Sequence, residues 1–344
     1  MNILIALLVF GIIVLIHEFG HYIVAKKSGI KVEEFAIGMG PKLISKQYGE
    51  TLYSIRIFPI GGFCKMLGED EGVQDERAFS NKSVLTRIAV IAAGPIMNLL
   101  LAFIIILFFV ISGGFLTTVV NQVAPNTPAE QADIRIGDKI VAIDGKKINI
   151  KEEISYILEK TKDQSIEVTI LRDGNKIKKE IKPMLDEETG RWMLGIGFEF
   201  KEGKENILES IAQSFWNVIF LVKLVIVGFF QIITGQVGAD KIAGPVGVIE
   251  MIGESYEIGL KTSIIMAIQN VMYLAALISA NLGVINLLPI PALDGGRLLF
   301  LIIEGLRGKP ISVEKEGLIH FIGFVLLMVF MVFILYNDLS KLVA

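Results

Sequence analysis

"LIHEFGHYIVAKK", residues 15–27, is the stretch on which the reading of this chain turns. It closes an apolar run that begins near Ile3, yet it carries two imidazoles and a carboxylate: His17, Glu18 and His21. Insertion scales put an ionised side chain at a bilayer centre at about 2.5–3.5 kcal/mol, and groups kept there at that cost usually serve function. The spacing H-E-x-x-H narrows which function. Four residues apart on a helix, His17 and His21 share a face and can aim one nitrogen each at a common metal ion. Glu18, one residue along, can act on water at that metal without being a ligand; a purely structural metal would not require it. Catalytic zinc takes three protein ligands and keeps one position open, so a third ligand must come from elsewhere.

The rest of the chain supplies a membrane around that stretch. Of 344 residues 53% are hydrophobic, and the mean hydropathy is +0.61, which points to a multi-pass membrane protein. A net charge of −3 gives nucleic acid nothing to bind. The single cysteine, Cys64, excludes an intrachain disulfide and a cysteine-built zinc site. No basic residue precedes the first apolar run and no small-x-small site follows it, so residues 1–25 are expected to be a retained transmembrane helix, not a secretory signal.

Four spans are expected: Ile3 to about Ala25, Ile88 to Ile111, Ile264 to Leu288, and Ile319 to Tyr336. Between the first two, "TLYSIRIFPIGGFCKML" (residues 51–67) alternates at Leu52, Tyr53, Ile55 and Ile57 and breaks at Pro59, Gly61 and Gly62. That pattern predicts a hairpin or looped strand, too short to cross and packed against helices as a membrane re-entrant β-loop. From residue 115 to about 200 charges return, with strand patterns, turn signals at Asp144-Gly145 and Asp173-Gly174, and a helix at Lys151–Lys160. This is a soluble α+β insert. The chain therefore divides into an N-terminal membrane core (1–112), the insert (113–200), a surface helix and linker (201–260) and a C-terminal membrane core (261–344).

Lys26, Lys27, Lys31, Arg77, Lys82 and Arg87 lie between the first two spans, and Arg297, Arg307, Lys309 and Lys315 between the last two. The positive-inside tendency makes these segments cytoplasmic and puts both termini and the insert outside.

Three residues compete to be the third ligand. His320 stands in "GLIHFIGF", where an ordinary interfacial histidine is the plainer reading, and Cys64 is the other soft donor. The more attractive candidate is Asp294 in "NLGVINLLPIPALDGGRLLF" (281–300), after the breaks at Pro289 and Pro291 and before Gly295-Gly296. Such breaks unwind a helix inside a protected interior, where a carboxylate can turn toward a metal.

HEFGH in the first span, "GPIMN" (94–98) in the second and "NLLPIPALDGG" in the third, in that order and with the insert between, resemble the site-2 protease family of intramembrane zinc metalloproteases (peptidase family M50). The nearest likeness is to the bacterial regulator of sigma-E protease branch, and it covers nearly the whole chain. The resemblance implies that His17, His21 and Asp294 ligate Zn2+ and that Glu18 is the catalytic base. It also implies that Asn286 helps hold substrate or transition state and that Asn98 packs near the site. Helix-to-helix hydrogen bonding in lipid is an equal reading of Asn98.

Depth then decides residues 207–233, whose polar stripe Glu209, Gln213 and Asn217 sits in an apolar run long enough to cross. If that segment crossed, the third span would deliver Asp294 to the face opposite His17 and His21. It is expected to lie on the outer surface as an amphipathic helix, or to dip into the membrane without crossing it.

"VVNQVAPNTPAEQADIRIGDKIVAIDGKKI" (119–148) resembles a bacterial PDZ core, with Asp133 where that pattern usually has glycine. A PDZ domain captures a peptide or C-terminus by strand addition. The implied function is zinc-dependent cleavage of transmembrane segments of single-pass membrane proteins, such as anti-sigma factors or remnant signal peptides, in a bacterial inner membrane. Residues 51–63, with Ile55, Ile57, Gly61 and Gly62, are expected to offer the unwound substrate a strand edge. The rivals are a non-catalytic PDZ adaptor with a structural metal and a metal transporter; the latter predicts ionisable groups strung across the other spans, which have almost none.

Overall fold

The computed structural model describes residues 2–69, 73–238 and 243–343. In chain order, helix α1 (Asn2–Lys27) is followed by strands β1 (Val32–Tyr48) and β2 (Thr51–Met66) and helix α2 (Val84–Gly113). Next come β3 (Phe115–Val123), α3 (Pro128–Gln131), β4 (Lys139–Ile143), β5 (Lys146–Lys147) and α4 (Lys151–Thr161). After these run β6 (Ile166–Arg172), β7 (Asn175–Ile181), β8 (Met184–Asp186), β9 (Arg191–Met193) and β10 (Ile196–Lys201). The chain ends in α5 (Ile207–Ile233), α6 (Pro245–Leu260), α7 (Ile264–Leu287), α8 (Asp294–Arg307) and α9 (Val313–Val343). Residues 1–105 with 221–344 form one compact unit, and residues 106–220 a second.

In the first unit, α1 stops where its sequence says it should. Lys26 and Lys27 sit in its last turn, where cations suit the helix dipole. Gly29 takes φ +67, and the Ile30 N–H returns to the Ala25 carbonyl, closing the orphan carbonyls of the helix end. The chain then enters the β-loop, whose organisation depends on a strand the sequence reading did not separate. β1 folds on itself near Gly38 and Gly40 (φ +83 and +84), and β2 turns near Gly61 (φ +89). Glu34, Phe35, Ala36 and Ile37 face Lys65, Cys64, Phe63 and Gly62 on one side, and Leu52, Tyr53, Ser54 and Ile55 on the other. Ile44 to Gln47 in turn face Ile55 to Leu52.

Ala25, Ile30, Val32, Phe35, Cys64, Met66, Val90 and Leu301 bury one core at the base of this sheet. At the other end of α1, Ala6, Val9 and Ile13 pack with Ile252 of α6. Ser263 caps α7, its hydroxyl accepting from the Met266 N–H.

Among the described residues five helices are long and apolar enough to cross a membrane: α1, α2, α5, α7 and most of α9. The chain is a membrane protein. Helix α5 meets the length and composition test, so the expectation of four crossings rests on the depth of Asp294 and not on α5 itself.

The second unit is a sheet in the order β10-β3-β4-β6-β7 with β5 beside β4, over a core of Val120, Ile140, Ile143, Ile154, Val168 and Ile170. Asp133 holds the left-handed conformation (φ +55) that the sequence pattern assigns to glycine. The structure shows what the carboxylate gains there: Arg135, Arg172 and Lys179 lie 2.8, 3.3 and 3.4 Å from it.

Candidate metal centre

His17 and His21 stand one turn apart on the buried side of α1, their rings edge to face at 4.9 Å. Their Nε2 atoms are 3.3 Å apart. Asp294, the first residue of α8, aims Oδ2 between them, 3.1 Å from His17 Nε2 and 3.5 Å from His21 Nε2. Among the described residues this is the one cluster of His, Cys, Asp or Glu whose ligand atoms converge in this way.

The donor chemistry shows that the cluster fits a cation. His21 gives its Nδ1–H to the Val90 carbonyl at 2.9 Å, which leaves a lone pair and no proton on Nε2. Asp294 Oδ2 is buried and receives no hydrogen bond. Electron pairs therefore converge on one point. A divalent ion satisfies that arrangement.

Glycines let the backbones come this close. A Cβ on Gly94 of α2 would lie 2.3 Å from His21 Nε2 and 2.9 Å from His17 Nε2. One on Gly20 would meet the Ala93 carbonyl oxygen at 2.4 Å. At the third ligand, Cβ atoms on Gly295 and Gly296 would strike the carbonyl oxygens of Leu288 at 1.9 Å and Ile290 at 2.6 Å. The loop 288–293 thus folds tightly against the start of α8 and fixes where Asp294 points. Ala292 in that loop takes φ +73, and its N–H donates to His320 Nδ1 at 2.9 Å. His320 lies outside the cluster in this geometry; it holds the turn that presents Asp294.

The cluster opens on a cavity of about 280 Å³ lined by Glu18, Phe63, Cys64, Lys65, Met66, Glu69, Ile91 and Arg297, besides His17, His21 and Asp294. Arg297 pairs with Glu69 at its wall. Ile91 is the residue whose helical donor would have been the N–H that Pro95 lacks. Cys64 lines the cavity but stands outside the ligand cluster.

The remaining expected site residues are placed as follows. Asn98, fully buried, sits with its amide nitrogen 3.2 Å from His17 Nδ1; it touches a ligand and is not part of the cavity wall. Asn286 lies half-buried in the last turn of α7, also outside that wall. Ile55 is corrected as a substrate-pairing position, because Ile37 and Ile44 flank it on both sides and leave it no open edge. Ile57 is exposed at the strand's far end, and Gly61 forms the turn. Gly62 belongs to the segment that is open: no described strand covers the outer side of Gly62–Met66. A Cβ on Gly62 would lie 3.3 Å from Glu18 Cγ, which puts this edge beside the Glu18 side chain.

Sequence reasoning missed the Val90 carbonyl, the closeness of Gly94 to both imidazoles, the Glu69–Arg297 pair and residues 64–66. The one available signal was Gly94-x-x-x-Asn98, a spacing that places both on the helix face turned to the imidazoles.

Known proteins bear on this geometry. The model of peptidase family M50 matches residues 5–330. A provisionally assigned zinc metalloprotease of Clostridium acetobutylicum is 38% identical over 337 residues, covering 98% of this chain and 97% of that protein. The regulator of sigma-W protease RasP of Bacillus subtilis is 30% identical over 419 residues, covering 98% and 97%. The PDZ domain of the SdrC-like protein of Listeria monocytogenes aligns with 24% of this chain and 86% of its own at 21% identity, but a TM-score of 0.22 gives that likeness no weight. With the family match running through the imidazole pair, the glycine face of α2 and the carboxylate of α8, the chain belongs to peptidase family M50.

Proposed function

We propose that this peptidase is a zinc-dependent intramembrane endopeptidase that cuts transmembrane segments of single-pass membrane proteins. The observation that carries the reading is the convergence of His17 Nε2, His21 Nε2 and Asp294 Oδ2, with Glu18 on the same cavity wall, in a chain of apolar helices. Zinc held by these three atoms would supply Lewis acidity, polarising a scissile carbonyl and bringing the ionisation of water toward neutral pH. The names of the relatives support zinc as the metal.

The protein's own residues do the rest. Glu18, not a ligand, takes the proton of the attacking water and passes it to the leaving amine. His21 is kept in the metal-binding tautomer by Val90. The open edge Gly62–Met66 answers a further difficulty of cutting a helix, whose carbonyls are tied up in i to i−4 bonds. A substrate unwound beside this edge exchanges those bonds for ladder bonds to β2 and lies extended along the cavity. We read α5 as lying at the outer surface, which leaves four crossings and brings Asp294 to the depth of the histidines from the cytoplasmic side. Both termini and the second unit are then extracytoplasmic, in a bacterial inner membrane. The PDZ-like unit would capture an extended peptide or C-terminus at an open sheet edge, of which β10 is one.

Glu18→Gln tests the reading. The purified full chain should keep its zinc, while cleavage of a model transmembrane peptide falls by roughly 10²- to 10⁴-fold, the usual contribution of a general acid–base. Undiminished cleavage would remove the hydrolase mechanism. An adaptor that only recruits partners would be indifferent to the substitution.

A further inference from the structure

His17 poses a problem that His21 does not. To present an Nε2 lone pair beside Asp294, an imidazole must carry its proton on Nδ1, and a buried Nδ1–H needs an acceptor. Val90 meets that need for His21. The group facing His17 Nδ1 is the Asn98 side-chain amide, with its nitrogen at 3.2 Å and its Oδ1 buried and without a donor. A half-turn of the amide exchanges oxygen and nitrogen at almost no change in shape. It gives His17 Nδ1–H its acceptor and gives the orphaned oxygen a donor. The other orientation would put a proton on Nε2, aimed into the ligand cluster, and leave Oδ1 unpaired.

We infer that Asn98 is a positioning residue: its Oδ1 accepts the Nδ1–H of His17, fixing the tautomer and ring orientation in which His17 binds metal. The inference rests on the proposed role of His17 as a ligand. Three placements support it. Asn98 is fully buried and lies one helical turn beyond Gly94, the glycine that admits both imidazoles. Its backbone carbonyl is tied by the Ser279 hydroxyl at 2.8 Å, so α7 braces α2 at this turn. And α2 then supplies both acceptors, the Val90 carbonyl and the Asn98 amide oxygen, to two ligands carried by α1. Asn98 thereby acts through His17; the cavity that would hold substrate is lined by His17 and not by Asn98.

The test compares wild type, Asn98→Leu and Asn98→Asp as full chains in detergent. Zinc affinity is read by competition with a chelator. Histidine tautomers are read from ring ¹⁵N shifts of metal-free protein labelled at histidine, of which the chain has three. Asn98→Leu keeps the volume and loses the acceptor, and should weaken zinc binding by roughly 10- to 100-fold, the usual effect of removing such a partner. It should also take His17 out of the uniform Nδ1–H form. Asn98→Asp keeps an acceptor and should bind zinc within a few-fold of wild type. Wild-type affinity in Asn98→Leu, or equal losses in both variants, would overturn the inference. If wild type binds no zinc while His17 still shows an Asn98-dependent Nδ1–H, the hydrogen bond stands and the metal reading falls, so the two failures are distinguishable.

Discussion

Gly94 of α2 and His21 of α1 approach so closely that a methyl group on Gly94 would sit 2.3 Å from His21 Nε2. The candidate metal centre is thus formed at a helix crossing where one side has no side chain at all. Gly94→Ala should displace the imidazoles and cost most of the zinc affinity, read by metal analysis after dialysis. A methyl group on Gly113, at the end of the same helix, would meet nothing within 4 Å, so Gly113→Ala should leave zinc untouched. Equal zinc content in the two variants would mean that α2 does not shape the site.

The open strand edge makes a second prediction. The Leu67 N–H turns inward to the Lys31 carbonyl, so by strand alternation the Cys64 N–H faces outward. Cys64→Pro removes that donor and should lower cleavage of a transmembrane peptide about tenfold or more while zinc content holds. Ile55→Pro, placed between two partner segments, should instead destabilise the β-loop as a whole. A Cys64→Pro enzyme with unchanged cleavage would show that substrate does not pair there.

His320 and Ala292 make a third. An alanine held at φ +73 carries a backbone cost of about 1–2 kcal/mol, and the bond from its N–H to His320 helps hold the turn. Ala292→Gly should raise stability by about 0.5–1 kcal/mol with zinc retained. His320→Phe keeps a ring against Phe300 but loses the acceptor, and should weaken zinc binding although it touches no metal. Thermal unfolding and chelator competition separate the two effects.

The acidic network of the second unit is sensitive to pH. Hydrogen bonds from Arg135, with Arg172 and Lys179, hold Asp133 down at about 2. Burial pushes the Asp138 carboxyl up, but the hydrogen bonds from Arg172 outweigh it and leave it below its ordinary value. Groups depressed in the folded state stabilise fully above their unfolded value near pH 4, and that stability is lost as pH falls toward about 2. Amide protection around residues 133–138, corrected for intrinsic exchange, should therefore drop between about pH 4 and pH 2 in the full chain. Arg172→Leu should lower it already at neutral pH and flatten the dependence. Protection that ignores pH over that window would remove the network from the stability of this unit.

Much of this protein was legible in one dimension. H-E-x-x-H names its own geometry, because helix periodicity alone brings His17 and His21 to one face. The apolar runs mark α1, α2, α7 and α9 because a bilayer demands about 20 unbroken apolar residues. For the third position the sequence already favoured Asp294 over His320 and Cys64, through the proline breaks before it and the resemblance of NLLPIPALDGG. What it left out was the distance: how near Asp294 Oδ2 comes to His17 Nε2 is set by how a glycine-tight loop packs, 277 residues away in sequence. The same holds for the sheet in which Ile55 is paired on both sides and Gly62–Met66 on one. Alternation reveals a strand but not its neighbours, and an edge is open or closed only through segments paired from elsewhere. The acceptors for the imidazole protons come from Val90 and the Asn98 turn of a different helix. Local pattern determined which groups can bind a metal; long-range packing determined which ones meet, and in which tautomer.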